Sequence, residues 1–330
     1  MSDYSLNIPS PGFDAAGVRA CLADQLEPPA AEPQLAAYLA CYNLSDLAER
    51  ADYAIGRLEL AGTELVVQRF FQPVCAKGTV LLVHGYMDHA GLTRPLLERL
   101  FQQGWNLVIY DLPGHGLSAG EPHDVDDFFR YTDQLAALVR QLRAELSHPL
   151  SLVGHSTGGA IILTLLLRET GLTSAELNRP VLLAPLVRPT QWRSIRFKYR
   201  WLSPWLKRVK RFYQTNSHDP EFLRFIQSGD PLQHAWISVG WVGAMLTWIN
   251  WVEGHSPSAW RPLVLQGSED TTVEWRHNLG VLKALFPQGE QRVIEEARHH
   301  LINEADPWRS EVFDQLQAFL EAEIKTPGTF

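Results

Sequence analysis

The sequence predicts an α/β fold in which a mainly parallel central sheet is covered by helices on both faces. Short continuous apolar runs alternate along the chain with segments whose apolar residues recur at helical spacing. A strand buried on both faces of a parallel sheet has such a continuous run, and the helix after it crosses over to the next strand. A compositionally distinct stretch, residues 186–255, interrupts the alternation and predicts an insertion into this fold.

Residues 1–51 and 52–185 predict a mostly helical N-terminal lead and the first part of the sheet domain. In the lead, "AAYLACY" is the clearest apolar patch. From residue 52 the segments "YAIGRLELAG" and "TELVVQRFF" alternate like two strands joined near Ala61-Gly62. Further strands are predicted by "GTVLLVHG", "WNLVIYD", "LSLVG" and "RPVLLAP". Helices are predicted by "LLERLFQQG", "VDDFFRYTDQLAALVRQLRAEL" and "AIILTLLLRET".

The insertion, residues 186–255, predicts a helical lid over the carboxyl ends of the strands. Nine basic residues and no acidic residue lie between Arg188 and Arg211, both included. The insertion also carries seven tryptophans: Trp192, Trp201, Trp205, Trp236, Trp241, Trp248 and Trp251. Residues 256–330 then complete the sheet domain with the strands "RPLVLQG" and "QRVIEEARHH" and the closing helix "DPWRSEVFDQLQAFLEAEI".

The overall composition narrows the class of protein. A formal net charge of −8 argues against a general nucleic-acid-binding protein. The three cysteines have no metal-ligand spacing, and their odd number favours reduced thiols. The N-terminal residues lack the pattern of a secretory signal, and no apolar stretch has the length that spans a bilayer. These observations lead us to expect a cytoplasmic protein.

A candidate nucleophile stands in the segment Gly154-His155-Ser156-Thr157-Gly158, which matches the pattern G-x-S-x-G. The segment follows the predicted strand "HPLSLV" and precedes the predicted helix "AIILTLLL". A strand–turn–helix of this kind is tight, so small residues are needed on either side of the Ser, and its hydroxyl is lifted out of the sheet. The pattern therefore predicts Ser156 as a nucleophile, with Gly154 and Gly158 as the elbow glycines.

A serine nucleophile needs a base and a carboxylate that orients the base. In this type of fold the chain order is Ser, then acid, then His. Asp270 follows the predicted strand "RPLVLQG", and His299 and His300 follow the predicted strand "RVIEEA". These positions predict Asp270 as the acid and either neighbouring histidine as the base.

The same chemistry needs two backbone N–H groups that stabilise an oxyanion. One is expected from Thr157, the residue after the nucleophile, and the other from the loop after the strand "TVLLV". That loop reads His84-Gly85-Tyr86. Gly85 would allow its backbone to approach the substrate closely, and the Tyr86 N–H is the predicted second donor.

The motifs "HGYMDHAG", "DLPGHGLS", "GHSTGG", "GSEDTTV" and "ARHHLINE" occur in the order and at the separations typical of the α/β-hydrolase superfamily. Within it, the chain resembles the monoacylglycerol lipase and bacterial lysophospholipase group over about residues 52–322. Aligning "EARHHLINE" with that group's G-A-x-H-E-L pattern places the base on His299 and leaves His300 as the alternative. The resemblance implies a lid that carries an acyl-chain tunnel, and a serine hydrolase that cleaves single-chain lipid esters without metal or cofactor.

Several different functions fit the same residues less well. A proline-type aminopeptidase or an acyltransferase of the same fold would keep the triad, and a ligand-binding homologue would commonly have lost part of it. An aminopeptidase would need lid carboxylates for a free amine, and the insertion offers four against ten basic residues. Those four are Asp219, Glu221, Asp230 and Glu253. An elbow Asp, an H-E-x-x-H pattern and a Walker lysine are all missing, which disfavours dehalogenase, zinc-hydrolase and phosphate-loop chemistry.

The basic and aromatic segment 188–213 leaves several partners open. It would suit peripheral contact with an anionic membrane, with Trp and Tyr at headgroup level. It would also suit a lysophospholipid headgroup, a protein partner, or arginines that extend over a tryptophan-rich core with their charges in water. The sequence gives no indication of the oligomeric state.

Overall fold

The computed structural model of the chain describes residues 12–173 and 176–322. Its helices are α1 (Ala15–Ala20), α2 (Pro33–Cys41), α3 (Ser45–Arg50), α4 (Arg94–Gln102), α5 (Phe129–Gln141), α6 (Thr157–Leu167), α7 (Trp192–Leu202), α8 (Pro220–Arg224), α9 (Val239–Glu253), α10 (Trp275–Leu285) and α11 (Trp308–Glu321). Its strands are β1 (Asp52–Leu60), β2 (Thr63–Phe71), β3 (Thr79–Val83), β4 (Asn106–Tyr110), β5 (Leu150–His155), β6 (Val181–Leu183), β7 (Arg208–Lys210), β8 (Trp236–Ser238), β9 (Leu263–Gly267) and β10 (Glu290–Ile294).

The central sheet has the strand order β1-β2-β4-β3-β5-β6-β9-β10. The two pairings made by β2 are antiparallel, and all the others in this sheet are parallel, which confirms the predicted α/β-hydrolase type of fold. β1 and β2 are joined at Ala61 and Gly62, whose φ angles of 49° and 83° lie in the left-handed region that a tight hairpin requires. The predicted hairpin is therefore present.

Helices cover both faces of this sheet because alternate strand residues point to opposite sides. Val80 and Leu82 of β3 pack in one layer with apolar residues of α2, α4 and α11. Leu81 and Val83 pack in the other layer with α5, α6, α9 and α10. Strands buried on both faces are the reason for the continuous apolar runs in the sequence.

The N-terminal lead covers the free edge of β1 as well as one face of the sheet. The Ile55 N–H donates to the Glu27 carbonyl (3.1 Å), and the Arg57 N–H donates to the Ala23 carbonyl (2.8 Å). Gly56 permits this approach, because a Cβ there would lie 1.9 Å from the Gln25 carbonyl oxygen. An edge strand with unpaired backbone groups is thereby protected.

The predicted lid segment, residues 186–255, contains α7, α8 and α9, together with two strands that the sequence pattern did not predict. β7 and β8 pair antiparallel, apart from the central sheet. β7 has three residues, all of them exposed, which is too short a run for an apolar alternation to identify it as a strand. The boundaries of the lid and of the other predicted segments stay predictions, and residues 1–11, 174–175 and 323–330 of those segments lie outside the described part of the chain.

The carboxyl ends of β3, β5, β9 and β10 meet at one edge of the sheet, as parallel strands require. Every predicted site residue lies at this edge, at the end of β5, at the start of α6 or in the loops after the other three strands. Among the helices that the structure describes, none is long and apolar enough to cross a bilayer.

Candidate active site

Ser156 lies on the tight turn between β5 and α6. Its backbone has φ +52° and ψ −112°, a strained conformation for a residue with a side chain. The Ser156 N–H donates to the Leu183 carbonyl (2.9 Å), and the Ser156 carbonyl accepts from the Ala160 N–H (3.1 Å). The turn therefore has the geometry of a nucleophile elbow, which is the local structure that G-x-S-x-G predicts.

The glycines around this turn allow three backbone segments to approach one another. A Cβ on Gly154 would lie 2.4 Å from the Gly158 carbonyl oxygen, and one on Gly158 would lie 2.0 Å from the Val83 carbonyl oxygen. A Cβ on Gly85 would lie 3.3 Å from the Cβ of Ser156. The loop after β3 is thus packed directly against the elbow, where an oxyanion donor is needed.

The structure brings Ser156, His299 and Asp270 into one hydrogen-bonded chain. His299 Nε2 lies 3.0 Å from Ser156 Oγ, and His299 Nδ1 lies 2.7 Å from Asp270 Oδ2. Both His299 and Asp270 are buried. The two residues follow β10 and β9, respectively, so neighbouring parallel strands deliver them to the same edge as Ser156.

Asp270 is held by more than its contact with His299. Its Oδ1 accepts from the backbone N–H groups of Thr272 (2.8 Å) and Val273 (3.1 Å), and its Oδ2 accepts from the Gln266 amide (2.9 Å). Burial disfavours the charged carboxylate, but His299 and these donors outweigh it and hold the pKa of Asp270 below its usual value. The Gln266 contact was not predicted, because a buried Gln inside an apolar strand carries no catalytic pattern.

The predicted oxyanion donors are free to bind a ligand. In the part of the chain that the structure describes, the backbone N–H groups of Tyr86 and Thr157 donate to no other group. The Tyr86 hydroxyl donates to the His123 carbonyl (2.7 Å), and its ring stacks on Trp241 with centroids 3.7 Å apart. The side chain of Tyr86 therefore fixes the loop and leaves its backbone N–H available.

A second buried network, which the sequence pattern did not predict, lies beside this chain. His300 Nε2 is 3.2 Å from Asp88 Oδ1, and His155 Nδ1 is 3.4 Å from Asp88 Oδ2. His155 Nε2 donates to the backbone carbonyl of His299 (3.0 Å). His300 thus turns toward Asp88 and makes no hydrogen bond with Ser156 among the residues described. In the sequence, the signal that could have indicated this network is the second histidine, His300, beside His299.

The electrostatics of this second network favour a charged Asp88 carboxylate beside a neutral His155 ring. Burial opposes the charge on Asp88, but His300 and His155 hold its pKa well below the usual range. Burial also lowers the pKa of His155 to about 4, so its ring is neutral near pH 7. The ligand atoms of Asp88, His155 and His300 lie within 4.8 Å of one another, close enough to hold a metal ion, and their contacts with each other account for the cluster without one.

A third buried network ties the lid to the N-terminal lead. Asp230 Oδ1 accepts from the Tyr42 hydroxyl (2.6 Å), and Asp230 Oδ2 lies 2.9 Å from His89 Nε2. Burial opposes the charge on His89, but Asp230 raises its pKa above the usual value. The Tyr42 ring also packs against Gly91, where a Cβ would lie 2.5 Å from the ring. These contacts join the lead, the loop after β3 and the lid.

A cavity of about 420 Å³ opens above Ser156. Ser156, Thr157, His299 and Tyr86 line its base. Its walls are largely apolar side chains of the insertion: Ile195, Leu202, Leu206, Val209, Ile237, Val239, Val242 and Met245. An apolar cavity with a few convergent polar groups is the usual form of a small-molecule site.

Comparisons with known proteins agree with this architecture. The family model described as serine aminopeptidase, S33 (Hydrolase_4) matches residues 74–306. A monoglyceride lipase homolog of Monkeypox virus is 24% identical over 264 residues, covering 78% of this chain and 94% of the relative. A probable lysophospholipase L2 of Haemophilus influenzae is 23% identical over 293 residues, covering 79% and 89%.

Solved structures match the fold over a similar span. The monoacylglycerol lipase of Paleococcus ferrophilus aligns with TM-score 0.65 and 20% identity over 78% of this chain and 99% of that chain. A soluble variant of the Saccharomyces cerevisiae monoglyceride lipase, in complex with a substrate analog, aligns with TM-score 0.68 and 18% identity over 81% and 94%.

The fold and the elbow define an α/β-hydrolase. The chain belongs to the Hydrolase_4 family, serine aminopeptidase S33, and is therefore a hydrolytic enzyme. Its predicted resemblance to the monoacylglycerol lipase and lysophospholipase group is confirmed by the relatives of those names.

Proposed function

We propose that the protein is a serine hydrolase that cleaves carboxylic esters of single-chain lipids, such as monoacylglycerols or lysophospholipids, through an acyl-enzyme on Ser156. The observation that carries this proposal is the hydrogen-bonded chain Ser156–His299–Asp270 at the base of a largely apolar cavity.

In the first half of the proposed reaction, Ser156 Oγ attacks the ester carbonyl while His299 Nε2 accepts its proton. The resulting imidazolium is stabilised by the Asp270 carboxylate, 2.7 Å from Nδ1. The negative charge that develops on the carbonyl oxygen is stabilised by the N–H groups of Tyr86 and Thr157. His299 then gives its proton to the leaving alcohol as the carbon–oxygen ester bond breaks.

In the second half, water cleaves the acyl-enzyme. His299 accepts a proton from the attacking water, the hydroxide adds to the acyl carbonyl, and the same two N–H groups stabilise the second oxyanion. When the bond to Ser156 breaks, His299 returns the proton to Oγ. The products are a free fatty acid and the alcohol, and no metal or cofactor takes part in these steps.

The cavity supports a substrate with one acyl chain. Its apolar walls from the lid would shield a hydrocarbon chain from water, which favours binding in proportion to the area removed from solvent. The names of the Monkeypox virus and Haemophilus influenzae relatives point to the same substrate class.

The family description raises aminopeptidase activity as a second candidate, and the carboxylates of the lid disfavour it. Glu253 pairs with Arg188 and His277. Asp230 is bonded to Tyr42 and His89 in the third network. Of the carboxylates in the described chain, Asp88 lines the cavity, and two histidines already engage it. The free amino group of a peptide substrate would therefore meet no carboxylate in the cavity that is not already paired with another side chain.

A substrate panel tests the proposal. Wild type and Ser156→Ala would be compared on a monoacylglycerol, a lysophosphatidylcholine, p-nitrophenyl butyrate and proline p-nitroanilide. We expect ester hydrolysis by wild type and a loss on the order of 10⁶-fold in kcat for Ser156→Ala. Turnover of the anilide without ester hydrolysis, or of no substrate by folded wild type, would overturn the assignment.

We also propose that the enzyme meets its lipid substrate at a membrane surface through residues 188–213. The exposure of apolar side chains in this segment supports the idea.

A further inference from the structure

Two cationic side chains line the cavity above Ser156. They are Lys198, from α7, and Arg211, which directly follows β7. Within the described part of the chain, neither forms a salt bridge with a carboxylate. Asp88 is the carboxylate that the described residues contribute to the lining, and two histidines already engage it. The cavity therefore holds positive charge that is not paired with a carboxylate of the protein.

Arg211 is held in place by contacts that leave its charge unpaired. Its backbone N–H donates to the Ala235 carbonyl (2.8 Å), which extends the pairing of β7 with β8 by one residue. Its guanidinium Nη1 donates to the Gln233 side-chain oxygen and lies in a group 4.7 Å from the ring centroid of Tyr213. A side chain that is already ordered loses little conformational entropy when it binds a ligand.

Most of the hydrogen-bonding capacity of Arg211 is unused. A guanidinium presents its N–H donors in a planar fork that matches two oxygens of a carboxylate or a phosphate. Among the described residues, the Gln233 oxygen is the acceptor that contacts this fork. Burial lowers the pKa of Arg211, because the protein replaces part of the water around its charge. An anion in the cavity would supply both the missing acceptors and the missing countercharge.

Gln233 also fixes Arg211 relative to the reacting atoms. The Gln233 amide nitrogen donates to the Met87 carbonyl (3.0 Å), and Met87 follows Tyr86, the proposed oxyanion donor. One side-chain amide thus separates the guanidinium from the loop that would hold the ester carbonyl. An anion bound to Arg211 would therefore lie a few bonds from that ester. Because the apolar walls of the cavity suit the acyl chain, the anion belongs to the alcohol part of the substrate.

A purely structural role accounts less well for Arg211. A neutral side chain could make the same contact with Gln233 without the cost of removing a charge from water. Asp88 and Asp230 raise the pKa of Arg211 through space, but neither carboxylate reaches salt-bridge distance. The hydroxyl groups of a neutral glycerol could accept hydrogen bonds from the fork, but they would not compensate its charge.

We propose that Arg211, with Lys198 as a second cation, binds an anionic group on the alcohol part of the ester, so that phosphate-bearing lysolipids are better substrates than neutral monoacylglycerols. The chemistry recognised is that of a compact anion with two or more oxygens. The ester itself comes from the proposed function, on which this assignment rests, whereas binding of the anion does not require turnover.

The test compares two water-soluble esters that differ in charge, 1-butyrylglycerol and 1-butyrylglycerol 3-phosphate. Their short chains keep both in solution, so contact with a membrane plays no part. We expect wild type to have the higher kcat/KM on the phosphate, chiefly through a lower KM. Arg211→Gln is expected to lower the ratio of the two kcat/KM values by about 10–100-fold, the size of the effect of losing charge-assisted hydrogen bonds.

Three further variants sharpen this comparison, and a thermal melt checks that each one folds. Arg211→Lys keeps the charge and loses the fork, so it should lower the ratio less than Arg211→Gln does. Lys198→Gln, at an exposed site, should lower it by about two- to fivefold. The matched control is Arg208→Gln, which removes an exposed charge from β7 that does not line the cavity. It should leave the ratio unchanged.

Calorimetric titration of Ser156→Ala with glycerol 3-phosphate separates the anion site from catalysis. We expect binding that adding Arg211→Gln weakens by at least about tenfold. If this holds but wild type hydrolyses no ester, the anion site stands and the proposed function fails. If wild type hydrolyses both butyryl esters with equal kcat/KM, or if Arg211→Gln leaves their ratio unchanged, the assignment of Arg211 is overturned and the proposed function stands.

A last pair of substrates tests where the anion lies. The hemiglutarate ester of p-nitrophenol carries a carboxylate on its acyl part, and p-nitrophenyl butyrate carries none. We expect no preference of wild type for the hemiglutarate. A preference for it that Arg211→Gln abolishes, without a preference for the phosphate, would contradict the placement of the anion on the alcohol.

Discussion

Two carboxylate–histidine networks lie side by side at the base of the cavity, and their hydrogen bonds give them different capacities. In the first, Asp270 holds Nδ1 of His299 and leaves Nε2 directed at Ser156. In the second, Asp88 engages His300 and His155, and the remaining nitrogen of His155 is bonded to the His299 carbonyl. In the proposed mechanism the first network moves a proton to and from Ser156. The second positions the backbone that carries His299 and the loop after β3.

The comparison shows that residue type alone does not define the base. His299 and His300 are adjacent, and both are buried and near a carboxylate. The two histidines differ in the direction of their rings. The ring of His299 turns toward Asp270, which follows β9, and the ring of His300 turns toward Asp88, in the loop after β3.

The largest expected effect comes from the first network. Asp270→Asn should lower kcat for p-nitrophenyl butyrate by about 10⁴-fold, because an amide can hold the wrong tautomer of His299 and cannot stabilise the imidazolium. The steady-state rate measures this, and a thermal melt checks that the variant folds. A loss below tenfold in a folded variant would remove Asp270 from the proposed triad.

The matched substitution in the second network should lower kcat less. Asp88→Asn is expected to lower kcat by roughly 10–100-fold, because misplaced oxyanion donors stabilise the transition state less well. It should also lower the free energy of unfolding by about 1–3 kcal/mol, since two buried histidines lose a charged partner. A loss of kcat as large as that of Asp270→Asn would show that the two networks contribute equally to catalysis, which would contradict the difference described above.

A smaller effect, on stability alone, is expected in the network of Tyr42 and Asp230, which lies away from the reacting atoms. Tyr42→Phe removes the 2.6 Å hydrogen bond to Asp230 and keeps the ring, and it should lower the free energy of unfolding by about 1–2 kcal/mol. Urea unfolding followed by tryptophan fluorescence measures the change. The same substitution at Tyr213, an exposed tyrosine, serves as the control and should change little.

The smallest expected effect is a difference in stability at low pH between wild type and Asp88→Asn. The pKa of Asp88 is lower in the folded protein than the ordinary value of about 3.9, so its contribution to stability is present above that value and is lost as pH falls through the folded pKa. Unfolding of wild type below about pH 4 should therefore be steeper in pH than that of Asp88→Asn. Parallel curves for the two proteins would show that Asp88 is not held ionised by its histidines.

Much of the fold could be predicted because its signals are local. β3 is a continuous apolar run, β5 is largely apolar, and the elbow needs only five consecutive residues. Asp270 and the pair His299 and His300 could be predicted because parallel strands bring their carboxyl ends to one edge, and the choice of His299 came from the resemblance to the lipase group. The start of α5 was placed too early, at Val125, because the Asp127 side chain accepts from the Phe129 N–H (2.9 Å) and holds a turn there.

What the sequence could not predict depends on contacts between distant residues. Tyr42 and Asp230 are 188 positions apart, and no pattern in either segment indicates the other. The lining of the cavity depends on how the insertion folds back over the sheet, and its three-residue strands have too few residues to show a period.

The most direct test of the central claim is labelling with a fluorophosphonate probe, followed by peptide mass mapping, on wild type, His299→Ala and His300→Ala. The account predicts a label on Ser156 in wild type, lost in His299→Ala and slowed less than about tenfold in His300→Ala, because His299 is the histidine within hydrogen-bond distance of the hydroxyl among the described residues. A label that survives in His299→Ala and is lost in His300→Ala would move the base to His300. Absence of a label on folded wild type would contradict an activated Ser156.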